Sequence, residues 1–250
     1  CAGFMTSTDS PIVLITGGNA GIGFHVSQQL ARAGARVLMG SRDPARGASA
    51  AADLADEGLE VEPVVLDVTV DATISAVTQH LADTYGRLDV LINNAAIVGE
   101  GLPPTQASRT EMLATFDTNV AGIVALTNAL LPALRSSDRR RILNVSSELG
   151  STRLVNDPDW LHSDVAAAAY QASKAALDML TVMYAKELAE EGFSVLSVSP
   201  GYRATGLSRG APTPGAGDPA EGAAGISALA LAAEVPTGRF LSDHGELVAW

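Results

Sequence analysis

Short apolar runs of strand length recur along this chain at Ile12–Ile15, Arg36–Met39, Val61–Leu66, Val90–Asn93, Arg141–Val145 and Ser194–Ser199, and the segments between them are long enough for helices. This alternation limits the possible folds more than any other feature. Helical crossovers make successive strands parallel, and a parallel sheet needs both faces covered. The pattern therefore predicts an α/β fold, a doubly wound parallel sheet flanked by helices on both faces. With 250 residues and no Pro/Ser linker or charge block before Gly206, residues 10–250 fit one large core better than two small ones.

Local signals agree with this layout. Ile22, Val26 and Leu30 repeat every four residues, and Asp43 before Pro44 reads as an N-cap followed by proline at the first helical position. Asn119–Leu134 and Tyr170–Glu190 read as long apolar-faced helices, Ala220–Ala232 as a helix and Phe240 as the site of a last strand. The Gly-, Pro- and Ala-dense stretch Gly206–Pro219 reads as a flexible loop. Residues 1–9 are expected to form a tail outside the fold, and residues 1–4 read as an added remnant ahead of a natural start at Met5.

Composition excludes several classes of function. The formal net charge of −12 disfavours nucleic-acid binding, and the Arg139-Arg140-Arg141 run reads as a solvated turn. No apolar run approaches the roughly 18 residues of a membrane span. A single cysteine permits no internal disulfide, and His25, His80, His162 and His244 lack metal-ligand spacing, so a cytoplasmic protein without a metal is expected. The glycosylation sequon Asn144-Val145-Ser146 lies inside a core strand.

Between the first strand and the first helix stands Thr16-Gly17-Gly18-Asn19-Ala20-Gly21-Ile22-Gly23. Glycines allow a tight turn and close approach of a pyrophosphate, and the helix N-terminus offers free N–H groups, which is the phosphate site of a Rossmann-type sheet. The second strand ends near Ser41, where an NAD-specific site usually has an acid. Ser41, Arg42 and Arg46 would instead suit a ribose 2′-phosphate, which favours NADP(H); the alternative is that the arginines solvate a helix start. Farther along, Tyr170 and Lys174 are four apart, so they share a helix face where the cation would favour the phenolate. Ser146 and Ser147 sit at a strand tip on the ligand side of the sheet, and Asn119 could support a water or a backbone kink beside them.

In their order, these motifs resemble the short-chain dehydrogenase/reductase family along nearly the whole chain. Thr16–Gly23 matches its TGxxxGxG turn, Asp67-Val68 its adenine-ring position, Asn93-Asn94-Ala95 its NNAG segment, Tyr170–Lys174 its YxxxK, and Pro200-Gly201 with Thr205 its loop beside the nicotinamide. The resemblance implies a catalytic set of Asn119, Ser147, Tyr170 and Lys174. It also implies cofactor contacts from Gly17, Asn19, Gly21, Ile22 and Gly23, from Ser41 and Arg42, from Asp67, Val68, Asn93 and Ala95, and from Tyr170, Lys174, Pro200, Gly201 and Thr205. Arg42 and Thr237-Gly238-Arg239-Phe240 are most similar to the NADP(H)-dependent carbonyl reductase branch. The expected reaction is carbonyl reduction, or its reverse. Tyr170 would be the acid or base, Ser147 would polarise the carbonyl oxygen, Lys174 would hold the ribose and lower the tyrosine pKa, and Asn119 would support a proton relay.

The chain departs from the family pattern at Ala96, Ala20 and Arg203, and in an extra loop at Leu154–Ala169. Arg203 is expected to turn outward or to meet an acidic substrate. Trp160 and Leu161 in the extra loop either pack it or form one wall of the pocket. With Ser147, Tyr170 and Tyr202, and with Leu154 and Leu207 nearby, Trp160 would favour a largely apolar carbonyl or alcohol held between loops near 151–169 and 202–219. A homo-oligomer is expected. The readings that compete are a dinucleotide-binding regulatory protein without turnover and a dehydratase or epimerase on the same fold.

Overall fold

The computed structural model describes residues 10–208 and 215–250. Its strands are β1 (Ile12–Ile15), β2 (Arg36–Ser41), β3 (Val61–Val65), β4 (Val90–Asn93), β5 (Arg141–Val145), β6 (Ser194–Val198) and β7 (Phe240–Leu241). They form one sheet in the order β3-β2-β1-β4-β5-β6-β7, parallel throughout. The order reverses at β1, so a crevice opens between the C-terminal ends of β1 and β4, the place where such sheets bind ligands.

Because side chains alternate across a strand, each apolar run supplies two cores. Leu14, Leu38, Leu91, Ile142 and Val195 pack with Leu81 of α3 (Asp71–Thr84), Leu126 and Leu130 of α5 (Gly122–Arg135) and Ala185 of α7 (Ala168–Glu187). Val13, Ile15, Val37, Ile92 and Leu196 face the other way, toward Val26 and Leu30 of α1 (Gly21–Arg32) and Ala223 and Ile226 of α8 (Pro219–Leu231). Both cores are fully buried, which is why the strands read as continuous apolar runs.

Strand ends shift by a residue or two from the sequence reading. β2 continues through Gly40 and Ser41, which pair with Val64 and Val65. β3 contains Pro63 and is the sheet edge, where a missing N–H is tolerated. Between β2 and β3 lies α2 (Pro44–Asp56), whose N-cap Asp43 accepts from Ala45 N at 2.9 Å.

The single helix expected at Asn119–Leu134 begins earlier and is divided. α4 (Arg109–Phe116) precedes a π-helical turn at Asp117–Ala121, and α5 follows. The extra loop contains a short helix, α6 (Thr152–Val155). In Gly206–Pro219, Gly206–Ser208 form one 3-10 turn, Arg203 pairs with Gly217, and Pro219 already belongs to α8. The mobility expected of this loop falls mainly on 209–214, outside the described residues, as do the tail at 1–9 and its remnant.

The arginine run is not a solvated turn. Arg141 is buried and its Nη1 donates to the carbonyls of Leu229, Ala230 and Ala232 at 2.6, 3.0 and 2.9 Å. Arg139 Nη1 reaches Ala232 O at 2.9 Å. Two guanidiniums thus cap the C-terminus of α8, where orphan carbonyls and the helix dipole favour positive charge.

Candidate active site

The crevice past β1 and β4 is a cleft of about 470 Å³. Its floor is the glycine turn. Gly17 and Gly21 have φ of 61° and 53°, and a Cβ on Gly23 would lie 2.3 Å from Gly17 O and 2.6 Å from Asn94 Nδ2. Only glycine fits at Gly23. The N-cap of α1 is Ala20, which supplies no side-chain bond, so the first N–H groups of the helix remain open to an anion. Gly17, Asn19, Gly21, Ile22 and Gly23 all line the cleft, as do Asp67, Val68, Ala95, Pro200 and Thr205.

Three expected cofactor residues lie off the cleft wall. Ser41 is buried and donates to Asp43 O at 2.8 Å, so its hydroxyl is not aimed at the cleft. Asn93 is a core amide that donates to Asn144 Oδ1 at 2.8 Å. Gly201 forms the turn beyond Pro200, with φ of 72°. Bracing of the glycine turn falls to Thr16 and Asn94 instead. The Thr16 hydroxyl accepts from Asn94 N and Ala95 N at 2.9 and 2.8 Å, and Asn94 Nδ2 donates to Thr16 O and Gly17 O at 2.9 and 3.1 Å. Asn94 was visible in the motif, but its task depends on a contact 78 residues away in sequence. Ala96 has no positive φ, so alanine is unstrained there.

Arg42 and Arg46 are exposed on the cleft wall, and neither is engaged in an ion pair among the described residues. Asp43, adjacent to Arg42 in sequence, is committed to the N-cap of α2. The rim can therefore accept an anion.

On the opposite wall, α7 contributes Tyr170 and Lys174, both buried, with Lys174 Nζ 5.6 Å from the phenol ring centroid. Gly150 lets the turn after β5 press against α7, since a Cβ there would stand 2.8 Å from that of Lys174. Ser147 begins this turn, and its hydroxyl is close enough to oppose the rise in the Tyr170 pKa. Burial dominates nonetheless: it pushes Tyr170 up to about 12, with help from the Asp178 charge. Burial also pulls Lys174 down to about 8, and its ammonium donates to Val145 O at 2.7 Å. The expected lowering of the tyrosine pKa is not produced by the chain's own charges.

Asn119 lies in the π turn with no exposed surface. Its Nδ2 donates to Ile97 O and Ser173 Oγ at 2.9 Å each, and its Oδ1 accepts from Ile97 N at 2.9 Å. Ser173 in turn donates to Tyr170 O at 2.7 Å. Both amide protons are used, so Asn119 ties the loop after β4 to the turn bearing Tyr170. A water relay could use only its remaining carbonyl lone pair or the main chain.

Arg203 does not turn outward. It pairs with Asp243 and with Glu221 at 3.0 Å, and its Nε donates to Pro200 O at 2.7 Å, locking the loop after β6 to α8 and the C-terminal segment. Trp160 and Tyr202 are linked by a residue the sequence reading passed over: His162 is 5.4 Å, centroid to centroid, from each ring. Leu161 points into solvent. Glu148, next to Ser147, has its carboxyl raised by burial and then by Asp243, with His162 opposing.

Comparison with known proteins gives a consistent result. Residues 11–213 match the family model described as short chain dehydrogenase. A short-chain dehydrogenase of Penicillium roqueforti is 34% identical over 212 residues, covering 82% of this chain and 84% of the relative. A protein described as a ketoacyl reductase of the monensin polyketide synthase, from Streptomyces virginiae, is 35% identical over 209 residues, covering 82% of this chain and 75% of the relative. Among solved structures, NADPH-bound carbonyl reductase from chicken fatty liver superposes with a TM-score of 0.85 at 28% identity, covering 96% of this chain and 99% of that one.

Proposed function

This chain belongs to the short-chain dehydrogenase/reductase family of oxidoreductases, and we propose that it is an NADP(H)-dependent ketoreductase acting on a largely apolar carbonyl compound. The observation that carries the reading is the buried Tyr170 and Lys174 pair, set across one cleft from an uncapped helix N-terminus in a glycine turn. Likeness to an NADPH-bound carbonyl reductase supports the choice of cofactor, and so does the Arg42 and Arg46 rim.

The cofactor, when bound, supplies or takes the hydride. Gly17–Gly23 and the N-terminus of α1 bind the pyrophosphate, and Arg42, with Arg46 behind it, holds the 2′-phosphate. Lys174 holds the nicotinamide ribose. Tyr170, protonated throughout the physiological range, gives its proton to the carbonyl oxygen while Ser147 donates a hydrogen bond to it as charge develops. In the reverse direction the phenol would have to lose its proton, which burial opposes and the positive charge of an oxidised nicotinamide would favour.

The test is NADPH consumption with a panel of ketones, aldehydes, quinones and polycyclic aromatic ketones. Tyr170→Phe should reduce turnover by roughly 10²–10⁴-fold with NADPH binding intact. Full activity in that variant would remove Tyr170 from the chemistry. Product formation without net cofactor oxidation would favour a dehydratase or epimerase, and binding without any turnover a regulatory protein.

A further inference from the structure

We propose that Asp178 is a positioning residue of the active site, the counter-charge one helical turn beyond Lys174 that keeps the lysine an ammonium inside a buried cleft wall. The proposal rests on the reading of Tyr170 and Lys174 as the reactive pair. Positions 170, 174 and 178 are spaced by four and share one face of α7. Asp178 is only 4% exposed, and neither carboxylate oxygen has a hydrogen-bond partner among the described residues. A buried carboxylate without donors is costly, and packing alone would be served better by a neutral side chain. A carboxylate in that place needs a charge that it serves.

Lys174 is that charge. The elements packed on α7 bring Arg109 and Glu111 on α4, Asp117 in the π turn, Glu148 after β5, Arg141 at the far end of β5, and Glu190 and Glu191 past the helix end. Of all charged groups among the described residues, only Lys174 acts on Asp178. β5 and β6 supply two hydroxyls: Ser146, buried without a partner, and Ser197, shared with Thr181 at 2.9 Å. They ease the charge without reaching hydrogen-bonding geometry. Asp178 and Lys174 form no contact ion pair, because the ammonium is drawn to Val145 O. The attraction acts between two buried groups, where it is weakly screened. Asp178 is itself pushed up to about 6 by burial, and it raises both Lys174 and Tyr170. Without it, Lys174 would fall further below about 8 and lose its charge near neutrality.

The experiment compares wild type with Asp178→Asn, an isosteric neutral variant, by NADPH binding (fluorescence) and carbonyl-reduction rate from pH 5.5 to 9.5. If Asp178 holds the lysine charged, the alkaline limb of NADPH binding should move down by about one to two pH units in the variant, the scale of one nearby opposite charge. The alkaline limb of turnover should follow. A limb that stays in place overturns the proposal, whether or not overall turnover drops, because a purely structural role lowers activity without moving it.

Thermal unfolding gives a second readout with a definite sign. A carboxyl whose pKa is raised from 3.8 to about 6 on folding contributes stability that is present below about 4 and lost as pH rises through about 6. Asp178→Asn has no such group, so its melting temperature should gain on wild type between pH 4 and 6. No relative gain would show that Asp178 does not carry the buried charge. If Asp178→Asn does not fold, Asp178→Ser, neutral and smaller, puts the same questions. If wild type reduces no carbonyl on the panel, the ketoreductase reading fails, while the binding limb still decides the role of Asp178.

Discussion

Arg141 shows how differently a residue can behave from its sequence neighbourhood. In a run of three arginines it reads as surface, yet its partners are main-chain carbonyls near residue 230, about 90 positions away. Burial lowers its pKa to about 10, still cationic at any physiological pH. Replacement with methionine keeps the stem and leaves those carbonyls without their charged donor, so Arg141→Met should lower stability by about 2–3 kcal/mol. Denaturant unfolding would measure it, and a loss below a few tenths would show that the cap is dispensable. Arg42 makes the opposite case, an exposed residue that forms no ion pair among the described residues. Arg42→Ala should weaken NADPH binding about ten- to a hundredfold and leave NADH nearly unchanged, as expected for one charged hydrogen bond to a phosphate. Equal losses for both cofactors would make Arg42 structural. Residues with local signatures, such as Tyr170, Lys174 and the turn glycines, were legible in sequence. Asp178, His162 and Glu148 were not, because a lone polar residue in a helix or loop does not reveal what will face it.

At the scale of elements, the parallel strands were the easiest to read, since burial on both faces leaves mostly apolar residues in all but the edge strand β3. Their ends were harder: Gly40 and Ser41 belong to β2 through pairing with β3, not through any strand propensity of their own. The π turn at Asp117–Ala121 is where Asn119 suggested a backbone kink as one of two readings, but its bounds were hidden because the surrounding sequence is indistinguishable from helix. The extra residue per turn there lies where Asn119 clamps Ile97. The two loops proposed to flank the substrate meet through the Trp160, His162 and Tyr202 rings, so an aromatic wall there depends on both. Trp160→Ala should therefore raise KM for bulky aromatic ketones more than for small aldehydes. An equal change across substrate sizes in steady-state assays would mean that the loops only pack against each other.

For the whole molecule, the helices α4 and α7 pack together and leave Leu113, Met179 and Met183 59%, 61% and 56% exposed. Apolar side chains on one broad face are expensive in water, and we propose that a second copy covers them. Light scattering should show a dimer or tetramer that Met179→Glu with Met183→Glu dissociates, and a monomer at every concentration would refute the pairing. The contact of α1 with α8 has a different consequence, for synthesis in the cell. Val26 and Leu30 lie far ahead in sequence of Ala223 and Ile226, which pack in the same core. A nascent chain must carry that bare face until the arginine-capped α8 has been made. Ribosome-bound intermediates stalled ahead of α8 should consequently recruit holdase chaperones, and release from them should coincide with emergence of α8.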